Sequence, residues 1–531
     1  MNPIHLSFRR ACRGALTIAC LGAISVRAAE YTAIKPYLVP VSTDYVIQPL
    51  LSVNDEVPNT SDPTKKYQMI GIPDGLGAYK GSAGTTVLFM NHELGNTVQS
   101  QPNVGGVLQR GAFVSRFLLD KKGAVISGER AYDKIVSEET GAVLPPPQTD
   151  NATPGLGRLC SGSLSWREAG FDRPIYFAGE EGSGAGTFDG KGGLATAIFD
   201  RELHTLVKLG RFPWENALVR PDAGDTTVIM CMEDGPTTPD NQLYMYVGKK
   251  IRSGNASVLR RNGLDTGRLY AFVANPGSPA NEIAFTSGSI TGKWAILPDQ
   301  TSRTEAMLEA DSDAVGAFGF IRIEDGAWSK TNKNTFYFVT TGSGPGNQLG
   351  RGYEVKFSPS NILGTTTIKM IYNGDAIAAA GGDGIAFAPD NIEVSEDYLM
   401  IQEDGTTPSR KEYADRARDG SIWRLDLRNN FAAKRVAELN PPGTVRPGAP
   451  GTGQAPPPAV GPGIWESSGI IDATDFFGKN SWLTVVQAHP PAIAPEPTTV
   501  EDGQLLLILP ANARFPGSGD GDDDDDDDDN G

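Results

Sequence analysis

The sequence predicts an all-β protein, a six-bladed β-propeller with long insertions between its strands. Glycine (63 residues) and proline (38 residues) are too frequent for long helices and suit many short strands joined by turns. A short apolar strand that runs into polar residues also recurs six times along the 531 residues. Because a propeller blade is a small antiparallel sheet packed radially around a channel, its inner strands are apolar while their ends can carry polar groups.

The repeated strand and the segment that precedes it define the six predicted blades. The strand with its polar end spans residues 87–95, 175–182, 228–235, 336–342, 398–405 and 482–490. The preceding segment carries polar residues among small or apolar ones and lies at 72–75, 160–163, 212–215, 321–325, 389–392 and 465–468. Each copy occupies about 80 residues, more than a compact blade repeat needs, which implies the long insertions.

The insertions contain few helix signals. We predict short helices at 304–315 and 411–418 and a proline- and glycine-rich surface loop at 441–462. Apart from the first residues, the chain has two cysteines, Cys160 and Cys231. They could form one disulfide in an oxidising compartment or remain two buried thiols, and both alternatives stay open.

Acidic side chains are concentrated at the predicted channel ends of these strands and segments. A single acid before a glycine is more simply a turn residue or a salt-bridge partner, whereas acids that recur after the same type of strand indicate a shared site. Carboxylate oxygens are the ligands that calcium prefers, and a cluster of carboxylates repels itself without bound cations. The sequence therefore predicts one shared metal site, with the candidate ligands Glu93, Glu180, Glu181, Glu215, Glu233, Asp234, Glu324, Glu403 and Asp404.

Arg322 and Glu324 are the candidate catalytic residues. They are two positions apart on a predicted strand, so their side chains point to the same side of it. The guanidinium fork of arginine matches the oxygens of a phosphate group, while the carboxylate of Glu324 could hold a metal ion. An ordinary cross-strand ion pair is the alternative interpretation.

The usual motifs of other hydrolases are absent from the sequence. It contains no Gly-x-Ser-x-Gly elbow, no His-Glu-x-x-His motif and no phosphate-binding loop, and it has only four histidines. These absences argue against a serine triad and against a histidine-rich zinc site. Oxygen-ligand chemistry is what remains.

The chain is strongly acidic. Its formal net charge is −17, and nine of the negative charges come from Asp520 and the run at 522–529. The rest of the chain is still acidic, which argues against a nucleic-acid partner. An anionic substrate would therefore need cations at its site, and bound metal ions would supply them.

The first residues have the pattern of an export signal. Basic residues at 9–13 precede an apolar run at 15–26 that is too short to span a bilayer, and two alanines at 28–29 suit cleavage. A secretory route and a twin-arginine route both stay open. We expect a periplasmic or secreted monomer with no membrane span. The expected organisation is a signal peptide at 1–29, the propeller domain at 30–515 and a disordered acidic tail at 516–531.

Six short motifs, taken in order, resemble those of the PhoX family of secreted alkaline phosphatases. No motif is specific alone, but their common order extends over most of the mature chain. The similar segments are Asn91-His92-Glu93, Cys160-Ser161-Gly162-Ser163, Arg211-Phe212-Pro213-Trp214-Glu215, Met232-Glu233-Asp234, Arg322-Ile323-Glu324 and Gln487-Ala488-His489-Pro490.

The resemblance implies a six-bladed propeller with a calcium and ferric iron cluster that hydrolyses phosphate monoesters after twin-arginine export. The chain departs from the family pattern at Gly179, where the family has cysteine, and at Trp214, where it has histidine. Glycine has no side chain to bind iron. The departures therefore argue against the ferric iron and leave the calcium-type oxygen ligands.

The expected function is that of a calcium-dependent hydrolase of small phosphate monoesters. Two alternatives stay open. One is another calcium-propeller hydrolase, with phytase-like or lactonase-like activity on the same scaffold. The other is a non-catalytic propeller that binds calcium.

Overall fold

The computed structural model describes residues 32–441, 461–489 and 498–513. The predicted signal peptide, the predicted acidic tail and most of the predicted loop at 441–462 lie outside these residues. In the described part of the chain, no helix is long and apolar enough to cross a membrane. Both remaining cysteines are free and buried, so the described structure has two thiols rather than a disulfide between them.

Short strands make up most of the described structure. In chain order they are β1 Leu38–Pro40, β2 Tyr45–Ser52, β3 Glu56–Pro58, β4 Lys66–Gln68, β5 Pro73–Lys80, β6 Thr86–His92, β7 Gln99–Ser100, β8 Gln109–Arg110, β9 Phe113–Leu119, β10 Val125–Arg130, β11 Lys134–Val136, β12 Val143–Leu144, β13 Leu159–Ser165, β14 Ile175–Glu180, β15 Ala195–Phe199, β16 Glu202–Thr205, β17 Trp214–Val219, β18 Thr226–Glu233, β19 Asn241–Gln242, β20 Tyr244–Lys249, β21 Arg268–Ala274, β22 Ser289–Ile296, β23 Gly319–Phe320, β24 Ile323–Trp328, β25 Thr335–Thr340, β26 Arg351–Phe357, β27 Thr366–Asn373, β28 Pro389–Val394, β29 Tyr398–Glu403, β30 Ser421–Asp426, β31 Ala432–Leu439, β32 Glu466–Asp472, β33 Trp482–Ala488 and β34 Asp502–Pro510.

The α-helices are short and lie between strands. They are α1 Val258–Arg261, α2 Glu305–Val315, α3 Gly374–Ala379, α4 Thr407–Asp415 and α5 Thr474–Phe477. The hydroxyl of Thr304 accepts a hydrogen bond from the Met307 amide and caps α2, which confirms the helix predicted at 304–315. Helix α4 overlaps the second predicted helix but begins four residues earlier, after its cap Thr406.

Five sheets contain the repeated strands. Their strand orders are β5-β6-β9-β10, β13-β14-β15-β16-β11-β12, β17-β18-β20-β21-β22-β27-β26-β25-β24, β28-β29-β30-β31-β1 and β32-β33-β34-β2. Each apolar strand that recurs in the sequence is a second strand, namely β6, β14, β18, β25, β29 or β33. All pairs in these sheets are antiparallel except that of β11 with β16.

The first strands of the repeated units form a closed ring. Strand β5 contacts β13, and the contacts continue through β17, β24, β28 and β32 back to β5. This radial arrangement confirms the predicted all-β propeller fold. The number of blades stays a prediction, because hydrogen bonds join the strands from β17 to β27 into one nine-stranded sheet.

The two ends of the described chain close the ring. Strand β2 pairs with β34, with Tyr45 opposite Pro510 and Ser52 opposite Gln504, so an N-terminal strand completes a C-terminal sheet. Strand β1 joins β31 of the preceding sheet in the same way. Separating either of these strand pairs would expose unpaired strand edges, so the pairings couple the unfolding of the first and last sheets.

Apolar and aromatic side chains fill the space between neighbouring sheets. The rings of Phe212 and Trp214 stack with their centroids 4.1 Å apart, and Phe212 also stacks on Tyr244. Trp214 is fully buried in this layer. Trp214 is therefore a core residue of the interface between two sheets.

His92 lies inside the first sheet. It is fully buried, its Nδ1 is 3.2 Å from the carbonyl oxygen of Gly71, and its Nε2 is 2.8 Å from the hydroxyl of Ser115. A neutral ring with the proton on Nδ1 satisfies both contacts. Burial lowers the pKa of His92 to about 4, against the hydrogen bond to Gly71, which raises it.

We expect the burial of His92 to make the protein less stable at acidic pH. Between pH 6.5 and about 4 the unfolded chain binds a proton at this position that the folded chain does not, so the free energy of unfolding decreases as the pH falls. The loss amounts to at most about 3 kcal/mol. Urea unfolding at several pH values should show a smaller loss in His92→Asn. Equal losses in both proteins would contradict this assignment.

Candidate metal centre

A β-bulge interrupts each strand of the inner ring. The register shifts fall between Pro73 and Leu76, Leu159 and Gly162, Trp214 and Ala217, Ile323 and Gly326, Pro389 and Ile392, and Ser468 and Ile470. A bulge adds an unpaired residue and redirects its side chain. In five of the strands this residue is a potential metal ligand, namely Asp74, Cys160, Glu215, Glu324 or Asp390.

A repeated backbone hydrogen bond aligns these bulges with the ends of the second strands. In each of these units, the residue that follows the second strand donates a hydrogen bond from its backbone amide. The acceptor is the backbone carbonyl oxygen of the residue two positions before the bulged ligand. The bonds run from Glu93 to Ile72 (2.9 Å), Glu181 to Arg158 (2.9 Å), Asp234 to Pro213 (3.0 Å), Thr341 to Arg322 (3.1 Å) and Asp404 to Ala388 (2.8 Å). The same bond in five units explains how residues far apart in sequence converge at one end of the channel.

Three overlapping groups of side chains could hold metal ions. Within each group the ligand atoms lie within 4.8 Å of one another. The groups are Asp74 with Glu93 and Cys160, Cys160 with Glu181 and Glu215, and Glu215 with Glu324 and Asp390. Because the groups share Cys160 and Glu215, they form one continuous cluster.

Several carboxylate oxygens of this cluster are buried without a partner. Asp74 Oδ1, Glu215 Oε2 and Asp390 Oδ1 have no hydrogen-bond partner among the described residues. Burial raises the pKa of Glu215 to about 8, against a hydrogen bond from the Ser161 hydroxyl, which lowers it. Since buried unpaired oxygens are costly, a bound cation would relieve both the missing contacts and the repulsion. The donor set therefore fits a metal ion.

Two arginines border the cluster. Arg322 donates to both carboxylate oxygens of Asp234, at 3.0 and 2.9 Å, and lies 3.0 Å from Glu324 Oε1. Arg158 bridges Glu93 Oε1 at 2.9 Å and Glu181 Oε2 at 2.6 Å. The Arg158 side chain is 53% exposed and that of Arg322 is 21% exposed, so Arg158 is the more open to solvent.

Cys160 supplies the one sulfur donor in the described cluster. Its Sγ lies 3.5 Å from Asp74 Oδ2, and the residue is buried. Burial raises the pKa of the Cys160 thiol, and the neighbouring carboxylates raise it further. Only a cation bound beside it would favour the thiolate. Cys231 is buried in an apolar cluster with its Sγ 3.6 Å from the carbonyl oxygen of Ile229.

The structure brings some of the predicted metal ligands together. Glu93, Glu181, Glu215 and Glu324 belong to the cluster groups. Asp234 adjoins them through Arg322. Burial raises the pKa of Asp390, and nearby carboxylates, among them that of Asp404, raise it further.

Three predicted ligands are turned away from the cluster, because successive residues of a strand point to opposite faces. Glu180 accepts hydrogen bonds from the amides of Gly157 (2.9 Å) and Phe188 (3.0 Å). Glu403 binds Arg418 through both oxygens, at 2.9 and 2.5 Å, and Glu233 accepts from the Gln242 amide at 2.6 Å. These side chains tie loops to their own sheets.

The cluster also contains residues that the sequence reasoning did not select. They are Asp74, Cys160 and Asp390 in the metal-binding groups, with Arg158, Glu466 and His489 beside them. Asp74, Cys160, Asp390 and Glu466 all lie in the polar segments that precede the repeated strands. That recurrence was visible in the sequence and was the signal that could have identified them.

Gly179 does not face the cluster. A Cβ built on Gly179 would lie 2.4 Å from the Cβ of Trp214, so the space beside it is filled by the neighbouring sheet. The thiol that lies among the clustered side chains is instead that of Cys160, on the adjacent strand β13. The absence of a cysteine at position 179 therefore carries less weight against iron than the sequence indicated.

The fold and the cluster define a propeller with a buried carboxylate and thiol site suited to metal ions. The family model of alkaline phosphatase PhoX matches residues 199–454. The resemblance to the PhoX family that the motifs indicated is thereby confirmed. Comparison with the curated proteins finds no match.

Two solved structures illustrate what the chain is similar to. The chain is similar to Pseudomonas fluorescens PhoX in complex with vanadate, a transition state analogue, with 13% identity, a TM-score of 0.61, and coverage of 91% of this chain and 97% of that chain. A Penicillium chrysogenum α-L-arabinanase complexed with arabinobiose has 9% identity and a TM-score of 0.39, and the match covers 87% of this chain and 99% of that chain. At 13% identity, the likeness to the Pseudomonas protein supports the fold.

Metal content should distinguish the clustered glutamates from those that face their own sheet. Glu215→Gln removes a carboxylate shared by two groups, so we expect it to lose on the order of one metal ion per chain. Glu180→Gln is a matched control, because Glu180 is equally buried but lies outside the groups. Elemental analysis after dialysis measures the difference. Equal metal content in the two variants would contradict the site.

A cysteine restored at position 179 should destabilise the protein without adding a metal ligand. Because its Cβ would overlap Trp214, we expect Gly179→Cys to lower the free energy of unfolding by about 1–3 kcal/mol. Gly186→Cys is the control, since nothing lies within 4 Å of a Cβ at that exposed position. A stable Gly179→Cys variant with increased iron content would show that this position belongs to the metal site.

Proposed function

We propose that the chain is a metal-dependent hydrolase of phosphate monoesters, of the PhoX type. The observation that carries the proposal is the set of unpartnered buried oxygens on Asp74, Glu215 and Asp390, bordered by two arginines. The match to the alkaline phosphatase PhoX family model supports this chemistry. Carboxylates alone would repel a phosphate ester, so the same cluster makes sense for this substrate only with bound cations.

The donor types support two kinds of metal ion. Glu215, Glu324 and Asp390 offer only oxygen, which suits calcium. Cys160 with Glu181 and Glu215 adds a thiolate, a donor that suits iron better than calcium. We therefore propose that the group of Glu215, Glu324 and Asp390 holds calcium. The group of Cys160, Glu181 and Glu215 then holds ferric iron. When bound, the metal ions would polarise the phosphoryl group and neutralise its charge.

The chain's own residues would bind and orient the ester. Arg322 is fixed by Asp234 and Glu324, so its guanidinium is preorganised to stabilise negative charge that develops on the phosphoryl oxygens. Arg158 uses one edge for Glu93 and Glu181, and its half-exposed side chain keeps further donors open to solvent. Arg158 would thus attract the anionic substrate, and Arg322 would stabilise the negative charge on its phosphoryl oxygens.

The first residues of the chain also bear on its cellular location. An enzyme for small phosphate esters outside the cytoplasm fits the export pattern of residues 1–29. We propose a periplasmic or secreted monomer. The route of export, secretory or twin-arginine, can be read from which translocation inhibitor retains the precursor.

The activity can be tested with nitrophenyl phosphate. We expect the purified protein to release nitrophenol, a chelator to abolish the release, and added calcium with ferric iron to restore it. Arg322→Lys keeps the charge but loses the fork, so we expect kcat to fall by about 100-fold to 1000-fold. Arg220→Lys is the matched control, because Arg220 lies away from the cluster and forms an ion pair with Asp222 at a distance of 2.8 Å.

The outcomes separate the competing functions. Metal binding without hydrolysis of any phosphate monoester would favour the non-catalytic propeller. Hydrolysis of phytate or a lactone, with no release of nitrophenol, would favour one of the other propeller hydrolases. Equal loss of activity in Arg322→Lys and Arg220→Lys would remove the assigned role of Arg322.

A further inference from the structure

A polar cleft lies at the outer edge of the first sheet, away from the metal centre. Its volume is about 660 Å³, and it is lined by the β3–β4 hairpin, by the loop before β8 and by the end of β10. Strand β10 is the fourth strand of its sheet, counted from the inner strand β5. Three steps between neighbouring strands correspond to roughly 14 Å. The cleft is therefore separate from the cluster.

Arg130 is a buried cation in the wall of this cleft. It is only 6% exposed, and its guanidinium packs over the rings of Phe113 and Tyr132, 4.7 and 4.9 Å from their centroids. It donates to the Tyr132 hydroxyl at 2.8 Å and to the side-chain oxygen of Gln109. Its Nε has no hydrogen-bond partner in the described part of the chain.

The hydrogen-bond and ring partners of Arg130 among the described residues are all neutral. The adjacent Glu129 also lines the cleft, but its carboxylate is already paired with Arg116 at 2.8 Å and with Arg201 at 2.7 Å. A buried charge is expensive unless it is paired, and cation–π contacts offset only part of the cost. Among the described residues, Arg130 thus keeps its positive charge beside the cleft without an ion pair to a carboxylate.

The other charges of the cleft are mostly compensated. Lys65 pairs with Asp62 at 3.0 Å, and Arg201 pairs with Asp133 at 2.6 Å. Lys66 is exposed at the rim and forms no ion pair with the described residues. A chain with a net charge of −17 therefore presents two unpaired cations, one at the wall and one at the rim of the same cleft.

We propose that this cleft binds a small oxyanion, as a free ion or as the anionic group of a small molecule. Arg130 would supply the buried charge and Lys66 the charge at the rim, while the amide side chains of Asn103 and Gln148 line the same space. The ligand class is a tetrahedral oxyanion such as phosphate or sulfate. This site does not depend on the metal cluster or on the proposed hydrolysis.

Sulfate is the probe, because it is not a substrate of a phosphatase. We expect sulfate to raise the Tm of the full chain by about 2 °C or more over chloride at equal ionic strength. Arg130→Gln should lose most of this rise. Arg220→Gln is the matched control, since it removes the same charge from a side chain that neither lines the cleft nor pairs with a residue that does, and it should keep the rise.

A selenate soak of crystals locates the anion directly. Anomalous density beside Arg130 supports the site, whereas density only beside Arg158 or Arg322 overturns it. An equal Tm rise in the wild type and Arg130→Gln also overturns it. If Arg130→Gln does not fold, Lys66→Gln replaces it, because Lys66 is exposed. A reduced rise in that variant supports the site, and an unchanged rise contradicts it.

Discussion

Mutual repulsion among buried carboxylates is the constraint on which this structure depends. Two unit charges about 5 Å apart repel by about 3 kcal/mol at an effective dielectric constant of about 20. The metal-binding groups place six carboxylates and one thiol at such distances. Arg158 and Arg322 neutralise only part of that charge. The folded propeller therefore needs either protonated carboxyls or bound cations, which couples metal binding to the stability of the channel end.

Strand alternation decides which acids share this constraint. In Glu180-Glu181, Glu233-Asp234 and Glu403-Asp404, the first acid faces its own sheet and the second faces the channel. The bulge in each inner strand then adds a second donor from the same unit. A shift of one residue in the strand pairing would exchange the acids that face the channel with those that face their own sheet. The bulges, which set this pairing, therefore decide which residues form the site as much as the acids do.

The sequence predicted the repeated strands and the convergence of their ends, because both follow from hydrophobic pattern and blade geometry. It did not predict which member of each acid pair faces inward, since both members are polar and adjacent. It did not single out Asp74 and Asp390 either, since an Asp before glycine or asparagine is also an ordinary turn signal. The family resemblance drew attention to position 179, where this chain lacks the cysteine, and only the packing of Trp214 shows that this position faces the next sheet.

Backbone strain at the channel end is consistent with a preorganised site. Ile72, Arg158, Arg322 and Ala388 are non-glycine residues with φ of 50°, 43°, 54° and 47°, and each lies two residues before a bulged ligand. Such conformations cost about 1–2 kcal/mol per residue. The strain persists because each carbonyl accepts the amide bond that aligns its unit, and because β2 closes the ring on β34. A ring that could open would relax these residues and scatter the ligands, so closure by the N-terminal strand is what holds the cluster together.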